Sequence, residues 1–426
     1  MKIAVVGSGG REHALVKKIK QSPLCTGLYA IPGNGGMAKD AVLVPIAANE
    51  IQKVVRFCLQ NSVEYVVVAP DDPLALGMVD ALQEAGIAAF GPSKAAARIE
   101  ASKVFSKNLM RKYGIPTAEY HAFSAEKDAL AYFETAAFPL VVKADGLALG
   151  KGVFICETAG QAAEAVNSIM RQKIFGDSGS QIVVEEFLTG PEVSVLAFCD
   201  GETLLPMVSS MDHKRIFDGD GGPNTGGMGT IAPNPFYTAE IADTCMQTIF
   251  MPTVKAMQAE GCPFKGCLYF GLMLTPAGPK VIEYNCRFGD PETQEVLRLL
   301  ESDLVPILQA CTAGTLAPGL VHFGTGAAAC VVLASGGYPG PYQKGSPINA
   351  AAAAALPGIQ LYYAGAALAN GRLITAGGRV VGVSATAPTL REALQKAYAA
   401  SAGVSFDNRF YRKAIGQKAL LALQHK

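Results

Sequence analysis

The first hundred residues alternate between short apolar runs and segments with helical periodicity. The apolar runs Lys2–Val6 and Leu28–Ile31 indicate buried strands, and Glu12–Gln21 between them has the spacing of a helix. A second helical pattern near Asn49–Gln60 leads into a further apolar run, Tyr65–Ala69. Because parallel strands are joined by crossover connections that are usually helices, this alternation predicts an α/β domain built on a parallel sheet.

The pattern changes near residue 100, where we predict a domain boundary. Ser93 can cap a helix that runs through Lys103 to about Lys112, and Gly114 can end it. That helix would lead from an N-terminal α/β domain over residues 1–101 into the next domain.

Strand and turn signals predict two further domains. Residues 117–190 hold the apolar strands Leu140–Lys143 and Ile182–Phe187, separated by a glycine-rich loop and a helix from about Ala159 to Met170. We assign them to a second domain over residues 102–324.

Small residues become frequent after about residue 320. Asn370-Gly371 between two apolar runs is a hairpin signal, and Thr389 with Glu392 forms a capping box that opens a helix. We therefore expect a small α+β domain over residues 325–426, which makes the chain a three-domain protein of mixed α/β and α+β class.

Composition excludes several classes of protein. The 426 residues include 36 Lys+Arg and 36 Asp+Glu, so the net charge of +0 argues against binding a nucleic-acid polymer. The apolar runs are shorter than the ~20 residues that span a bilayer, so no membrane partner is expected. The 10 cysteines are scattered without a C-x-x-C pair, which is typical of reduced thiols in a cytoplasmic protein.

The first of three notable glycine-rich loops is Gly7-Ser8-Gly9-Gly10. It lies between a strand and a helix, where backbone N–H groups can hold a phosphate, although a plain tight turn explains it equally well. Glu12 takes the position of the third glycine of the dinucleotide fingerprint, which disfavours a nicotinamide site.

The second loop, residues 143–152, follows a predicted strand and contains two lysines. It is not a Walker loop, because Gly150-Lys151 is followed by glycine instead of Ser or Thr. Lys143 and Lys151 together can neutralise a triphosphate, but an exposed hairpin with solvated lysines is an alternative. The third loop, residues 212–229, combines charged residues and glycines, which favours a functional loop over a surface linker.

Two side chains with oxygen donors lie on the predicted strand Val281–Asn285. Glu283 and Asn285 are two residues apart, so their side chains lie on one face of the strand. Such a pair suits Mg²⁺, which prefers few protein ligands together with substrate phosphates. Arg287 is predicted to lie on the same face, and Cys286 points the other way.

The chain carries its informative segments in a fixed order: GSGGREHAL (7–15), PGNGG (32–36), GPS (91–93), KADGLALGKGV (143–153), EEFLTGPEVS (185–194), DHKRIFDGDGGPNTGGMG (212–229), EYNCRFGDPETQ (283–294), GGRVVGV (377–383) and FYRKAIG (410–416). Together they resemble the ATP-grasp ligases, and among these the glycinamide ribonucleotide synthetase (phosphoribosylamine–glycine ligase) family. The resemblance runs over essentially the whole chain.

The resemblance implies a Rossmann-like pre-ATP-grasp domain, an ATP-grasp core with a lid at about 117–190, and a small C-terminal domain. It implies the second step of de novo purine biosynthesis, in which ATP drives ligation of glycine to 5-phosphoribosylamine through glycyl phosphate. The products would be glycinamide ribonucleotide, ADP and phosphate, and the metal would be Mg²⁺ or Mn²⁺.

Motif matches to the family also imply residue roles. The expected ATP-binding residues are Lys103, Lys143, Gly150, Glu185, Leu188 and Glu192. The expected metal ligands are Glu283 and Asn285, and the expected catalytic residues are Arg287, Lys151, Asp212 and Lys214. The expected substrate-binding residues are Gly9, Gly10, Arg11, Asn34, Asp71, Arg215 and Asp290.

Two departures from the family pattern affect these expectations. Asp71 stands where many members carry a longer glutamate, which shortens its reach towards a ribose. Residues 267–274 carry no acid that could supply a second carboxylate to the metal.

Two alternative functions remain open: another ATP-grasp carboxylate–amine ligase, and a catalytically silent nucleotide-binding homologue. We expect a monomer, or at most a weak dimer.

Overall fold

The computed structural model describes residues 1–148 and 152–424. Its N-terminal part is a parallel sheet of strand order β3-β2-β1-β4-β5, which confirms the predicted α/β domain. The strands are β1 (Lys2–Gly7), β2 (Gly27–Pro32), β3 (Val42–Leu43), β4 (Tyr65–Val68) and β5 (Ala88–Phe90). The accompanying helices are α1 (Gly10–Lys20), α2 (Ile51–Gln60), α3 (Asp71–Leu76) and α4 (Met78–Glu84).

The prediction of one continuous helix from Ser93 through Lys103 to about Lys112 is wrong. It is two helices, α5 (Lys94–Ala101) and α6 (Lys103–Lys112). Ser102 between them has an extended backbone (φ −138°, ψ 111°), and its hydroxyl caps α6. The Asp145 carboxylate, from the second glycine-rich loop, accepts the second backbone N–H of α6 at 3.0 Å. The break therefore ties the start of α6 to that loop.

A small antiparallel sheet of order β6-β9-β7-β8 follows, with its own apolar core. Its strands are β6 (Tyr120–Phe123), β7 (Leu140–Ala144), β8 (Val153–Cys156) and β9 (Ile182–Glu186). Its helices are α7 (Glu126–Phe133) and α8 (Ala159–Val166), and a wider turn over Asn167–Arg171 continues α8. We call this unit the lid sheet.

A second antiparallel sheet, of order β11-β10-β16-β17, forms the centre of the molecule and is called the core sheet below. The elements of this region are β10 (Glu192–Asp200), β11 (Leu204–Pro206), β12 (Met211–Asp212), β13 (Arg215–Phe217), β14 (Gly221–Asn224), β15 (Gly229–Ala232), β16 (Lys265–Thr275) and β17 (Gly278–Asn285). Its helices are α9 (Ala239–Cys245), α10 (Met251–Ala259), α11 (Thr293–Leu299) and α12 (Leu304–Ala313).

The C-terminal sheet has the order β12-β15-β18-β22-β19, with β23 also paired to β18. Its remaining elements and those around it are β18 (Ala327–Ser335), β19 (Ile359–Tyr363), β20 (Ala366–Ala369), β21 (Arg372–Thr375), β22 (Arg379–Ala387), β23 (Arg409–Phe410), α13 (Ala351–Ala354), α14 (Leu390–Ala402) and α15 (Gln417–Gln424). Both strands that flank the charged 212–229 loop thus belong to this sheet, and the loop itself folds back as the β13–β14 hairpin.

Local predictions in the C-terminal part are confirmed. Asn370 and Gly371 form the tight turn between β20 and β21 with φ values of +50° and +74°. Thr389 and Glu392 form the capping box of α14. Within residues 1–148 and 152–424, no helix combines the length and apolar character that a membrane span requires.

Candidate active site

A buried carboxylate lies between two lysines where the lid sheet meets the core sheet. Glu185 on β9 accepts a hydrogen bond through Oε2 from Lys143 Nζ on β7 at 2.9 Å, and Lys107 Nζ on α6 is 3.1 Å from the same oxygen. Lys143 also donates to the Ile282 carbonyl on β17 at 3.2 Å, so it links the two sheets. Two ammonium groups beside one carboxylate leave an excess of positive charge that suits a phosphate.

Lys103 adds a further positive charge next to the second glycine-rich loop. Its Nζ donates to the Gly146 carbonyl at 2.8 Å. Burial lowers the pKa of Lys103, and the nearby Glu283 charge opposes that effect. Gly146 has φ +129°, and a Cβ there would lie 2.6 Å from Ser178 Oγ, so the loop can pass here only as glycine. The predicted site residues Gly150 and Lys151 lie outside the described residues.

Glu283 on β17 is ionised and paired with a lysine from the charged loop. Its Oε1 accepts a hydrogen bond from Lys214 Nζ at 3.2 Å, and Glu192 Oε2 lies 3.9 Å from the same ammonium. The Lys214 charge is the main reason that the pKa of Glu283 falls to about 2, with Lys143 and Lys103 adding to it. Glu283 in turn raises the pKa of Lys214 well above its usual value. The structure thus brings five residues predicted from the sequence into one electrostatic network: Glu283, Lys214, Glu192, Lys143 and Lys103.

Asn285 and Arg287 lie side by side next to this network. Glu283 and Asn285 are partly exposed while Tyr284 between them is buried, which fits the predicted shared face. Arg287 Nη2 donates to Asn285 Oδ1 at 3.0 Å and lies 3.1 Å from Glu100 Oε1. The guanidinium is therefore held by Asn285 and Glu100 and fixes the orientation of the Asn285 amide.

Glu100 also anchors the backbone after β17. Its Oε2 accepts the Cys286 N–H at 2.7 Å, and the Cys286 side chain is buried as predicted. Burial raises the pKa of Glu100, and the charge of Asp71 at the start of α3 raises it further, against the effect of Arg287. Asp71 therefore lies close to the Arg287–Glu100 pair, at the edge of the N-terminal domain.

Asp212 and Glu292 form a second acidic centre. Burial raises the pKa of Asp212 well above its usual value, and the Glu292 charge is the next largest cause. Glu292 Oε1 accepts hydrogen bonds from Tyr269 Oη at 3.0 Å and Ser194 Oγ at 3.4 Å. Within the part of the chain that the structure describes, neither carboxylate has a salt-bridge partner. Two neighbouring carboxyls that form no salt bridge suit a bound ammonium group or a shared proton, even though the charges of Lys214 and Arg379 act on Asp212 from a distance.

Arg215, also predicted for this site, is positioned differently. Its Nη1 donates to the Gly222 carbonyl at 2.7 Å inside the β13–β14 hairpin. Lys214 and Arg215 are neighbours in the chain, but the Lys214 ammonium pairs with Glu283 and Glu192, whereas the Arg215 side chain contacts the hairpin itself. The structure therefore brings Lys214, and not Arg215, to Glu283.

A cavity of about 670 Å³ lies between the N-terminal sheet and the C-terminal sheet, and Asp290 and Arg379 form part of its wall. Its walls combine glycine-rich backbone with few polar side chains. It is lined by Ser8, Gly9, Gly33, Asn34, Gly35, Leu43, Asp290, Tyr338, Ala364, Gly365, Ala366, Ala367, Leu368, Ala376, Gly377 and Arg379. Among the residues predicted to bind the sugar-phosphate substrate, Gly9, Asn34 and Asp290 thus face one space.

Two other residues predicted to bind substrate, Gly10 and Arg11, support these walls. A Cβ on Gly10 would lie 2.6 Å from Gln294 Nε2, so α1 packs against α11 at this glycine. Arg11 donates to Glu12 Oε1 and to the Phe288 carbonyl, which braces the segment that carries Asp290.

Asn34 has no free amide hydrogen. Its Nδ2 donates to the carbonyls of Ser8 and Tyr363, both at 2.8 Å, and its Oδ1 accepts the Gly36 N–H at 2.9 Å. It joins the N-terminal loops to β19 of the C-terminal sheet.

Arg379 closes the other side of the cavity. Its Nη1 donates to the carbonyls of Gly226 and Asp290 and lies 3.4 Å from Asp290 Oδ1. One guanidinium from β22 therefore holds the end of the charged loop and the Asp290 segment together.

The two remaining predicted nucleotide-binding residues lie on the strand connection that joins the sheets. Leu188 is half-buried between β9 and β10, and Glu192 is the exposed first residue of β10. Both residues therefore follow Glu185 along the segment that leads from the lid sheet into the core sheet.

Paired antiparallel sheets with cationic and acidic side chains between them define this chain as an ATP-grasp protein. Residues 101–293 match the family described as "Phosphoribosylglycinamide synthetase, ATP-grasp (A) domain". Residues 1–100 match the N domain of the same synthetase, and residues 328–418 match its C domain. The chain belongs to the phosphoribosylglycinamide synthetase family.

Individual relatives agree with this assignment. The chain is 48% identical over 420 residues to a phosphoribosylamine–glycine ligase of Rhizobium meliloti, covering 99% of each chain. It is 44% identical to the human trifunctional purine biosynthetic protein adenosine-3, covering 99% of this chain and 42% of that protein. The crystal structure of a phosphoribosylamine–glycine ligase from Thermotoga maritima matches with a TM-score of 0.86 and 32% identity, covering 97% of this chain and all of that one.

More distant structures share the fold alone. Biotin carboxylase from Campylobacter jejuni is 12% identical and matches with a TM-score of 0.77 over 96% of this chain.

Sequence reasoning missed the groups that hold the predicted residues in place, namely Glu100, Lys107, Glu292 and Arg379. Only Lys107 had a usable signal, because it lies four residues after Lys103 and so on the same face of α6.

Proposed function

We propose that the protein uses ATP to ligate glycine to 5-phosphoribosylamine, giving glycinamide ribonucleotide, ADP and phosphate. The observation that carries the proposal is the ionised Glu283 coupled to Lys103, Lys143 and Lys214, next to the Asp212–Glu292 pair and a glycine-lined cavity. Full-length similarity to phosphoribosylamine–glycine ligases supports the same reaction. It would be the second step of de novo purine biosynthesis.

The lysine cluster would bind and orient the nucleotide phosphates. Transfer of a phosphoryl group depends mainly on positioning and charge neutralisation, so no dedicated base is required. Lys103 and Lys143 would contact the phosphates, and Glu185 and Leu188 would line the adenine pocket. Glu192 would bind the ATP ribose. Gly150 and Lys151 would belong to a loop that closes over the phosphates and excludes water from the acyl phosphate.

Glu283 and Asn285 would hold a divalent metal ion. Their donor set fits Mg²⁺ or Mn²⁺, because a carboxylate with a pKa of about 2 is ionised and Asn285 offers an amide oxygen. Across the described ranges no group of three or more acidic, His or Cys side chains is arranged for a metal ion, so phosphates would complete the coordination. When bound, the metal would neutralise phosphate charge.

Glycine would bind through its two charged ends. The Asp212–Glu292 carboxyls suit its ammonium group, while Lys214 and Arg287 lie on the side of Glu283 and Asn285, where the carboxylate must meet the γ-phosphate. Attack of the glycine carboxylate on that phosphate gives glycyl phosphate and ADP. The amine of phosphoribosylamine then attacks the acyl carbon, and phosphate leaves.

The sugar-phosphate substrate would bind in the 670 Å³ cavity. Gly10 offers the backbone N–H at the start of α1, whereas the Gly9 N–H donates to the Glu12 carboxylate and the Arg11 N–H to Asp290 Oδ2. Asp290 on the cavity wall, and Asp71 outside the lining residues, would accept hydrogen bonds from ribose hydroxyls. We propose that Asn34 and Arg11 shape this cavity, since their side-chain donors are already used in part or in full by the protein. A role for Arg215 at glycine would require the β13–β14 hairpin to move.

A phosphate-release assay with purified protein tests the proposal. Turnover is expected with ATP, glycine and phosphoribosylamine together, and glycinamide ribonucleotide should form in equal amount to phosphate. Turnover with another amino acid but not with glycine would indicate a different ATP-grasp ligase. ATP binding without turnover under any substrate combination would indicate a silent homologue. We further propose a cytoplasmic monomer, which fractionation and light scattering can check.

A further inference from the structure

Lys107 is a fully buried lysine that the proposed mechanism does not use. Its side chain is 2% exposed, and it lies one helical turn after Lys103 on α6. Its Nζ donates to Thr117 Oγ1 at 2.8 Å and to the Ala118 carbonyl at 3.5 Å, and it pairs with Glu185 Oε2 at 3.1 Å. An ammonium has three hydrogens, so Lys107 has none left for a ligand.

Lys143 differs from Lys107 in this respect. It donates to Glu185 Oε2 and to the Ile282 carbonyl, which uses two of its three hydrogens. Among residues 1–148 and 152–424 no third acceptor contacts the Lys143 ammonium, so its third hydrogen is available to a phosphate in the cleft. The two lysines therefore share one carboxylate, but only one of them can bind nucleotide without giving up a protein contact.

We infer that Lys107 is a positioning residue for ATP, which holds the Glu185 carboxylate in place so that Glu185 orients Lys143 towards the nucleotide phosphates. This inference rests on the proposed use of ATP. Without Lys107, Glu185 would be a buried carboxylate with Lys143 as its one ion-pair partner, and Lys143 would turn towards it. With Lys107 present, the array of two ammonium groups and one carboxylate keeps one positive charge for the incoming phosphate.

The ionisation of Lys107 supports this arrangement. Burial lowers the pKa of Lys107 to about 8, against the opposing charge of Glu185 and with a further lowering by Lys143. The other groups that face it are Glu186, which is paired with Lys280, and the ring of Tyr120. Loss of the Lys107 proton would remove the second cation from Glu185, so nucleotide affinity should fall as the pH rises through about 8.

Calorimetry with a non-hydrolysable Mg–ATP analogue tests the inference directly. Lys107→Met should weaken binding roughly tenfold or more, because a charged hydrogen bond that orients a ligand group is lost. Lys112→Met is the matched control, since Lys112 lies on the same helix but is exposed and paired with Glu260; it should bind within about twofold of the wild type. The decline in affinity above about pH 8 should be absent in Lys107→Met.

A double-mutant cycle with Glu185→Gln separates positioning from general damage. Because both residues act through one contact, the double variant should be little worse than the weaker-binding single variant. Additive losses, or Lys107→Met binding as tightly as the wild type with the same pH profile, would overturn the inference. If Lys107→Met does not fold, unchanged affinity in Glu185→Gln would overturn it alone. Failure of the wild type to bind the analogue would instead contradict the proposed function.

Discussion

The proposed nucleotide cleft and the proposed sugar-phosphate cavity differ in the groups that form them. The cleft is made of paired charged side chains, such as Lys143 with Glu185 and Lys214 with Glu283, in which lysines outnumber their carboxylate partners at Glu185. The cavity is made mostly of glycine and alanine backbone, with Asp290 and Arg379 as its charged groups. A triphosphate needs concentrated positive charge. A sugar phosphate carries less charge and can be bound by backbone groups, which glycine and alanine allow to approach the ligand closely.

The two regions should therefore fail in different ways. A substitution that removes a charge but keeps the side-chain shape should impair the cleft. A substitution that adds volume but no charge should impair the cavity.

The largest effect is expected for Glu283→Gln. The change removes the charge at the proposed metal site while keeping the shape, so turnover should fall about 1,000-fold. Phosphate release measures this loss, and the melting temperature should stay near that of the wild type. Glu186→Gln on β9, a partly exposed carboxylate paired with Lys280, is the control and should keep wild-type turnover. Substantial turnover in Glu283→Gln would refute the assignment.

Gly35→Ala should damage the cavity and spare the cleft. A Cβ at Gly35 would lie 2.5 Å from the Ala367 carbonyl carbon and 2.6 Å from the Leu368 nitrogen, so the backbone of β20 has to move. We expect KM for phosphoribosylamine to rise about 10- to 100-fold, with ATP affinity nearly unchanged. Gly319→Ala should be neutral, because a Cβ there meets no atom of the described residues within 4 Å. Equal losses in both substrates would argue that the two regions are not separable.

Lys151→Ala should lower turnover more than it weakens ATP binding. If the loop closes after the nucleotide binds, its lysine acts mainly in the transition state, and we expect about a tenfold loss in kcat with about a twofold change in ATP affinity. Steady-state kinetics together with calorimetry measure both. Parallel losses in the two quantities would count against a closing loop.

The last effect concerns stability and not turnover: a pH dependence at His213, which joins the charged loop to the C-terminal sheet. Its Nδ1 contacts the Gly229 carbonyl and its Nε2 accepts the Gly416 N–H, both at 3.0 Å, and burial is the main reason that its pKa falls from 6.5 to about 4. Between these values the unfolded chain binds more protons, so stability should fall as the pH drops from 6.5 towards 4, by up to about 3 kcal/mol.

Urea unfolding at several pH values checks this expectation. His213→Gln removes the titrating group, so the variant should be less stable at pH 7 but should lose less between pH 6.5 and 4. Identical slopes for the two proteins would show that other groups control acid unfolding.

Local sequence patterns predicted what local physics decides. Alternating apolar runs predicted the parallel sheet, and the two-residue spacing of Glu283 and Asn285 predicted their shared face. Ser93, Gly114 and Thr389 act at helix ends as their residue types suggest. The break at Ser102 could not be predicted in this way, because part of its cause is Asp145, a residue 43 positions away.

The same limit applies to the site. Lys143 and Glu283 could be predicted from the loops and strands that carry them. Glu100 could not, because it acts on the backbone of Cys286 across 186 positions. Asn34 shows the reverse case: its motif pointed to a ligand, but its amide hydrogens are used by Ser8 and Tyr363, the latter 329 positions away.

The pairing of β15 with β18 affects how the protein is made. β15 follows the charged loop, but its partner strand begins almost a hundred residues later, at Ala327. During synthesis the chain emerges from its N-terminus, so the edge of β15 lacks its partner until most of the protein has left the ribosome. The lid and core sheets can fold before that point, yet the loop that carries Asp212 and Lys214 cannot complete its hydrogen bonds. A nascent chain that still lacks the C-terminal strands should therefore be able to bind ATP before it can catalyse ATP turnover.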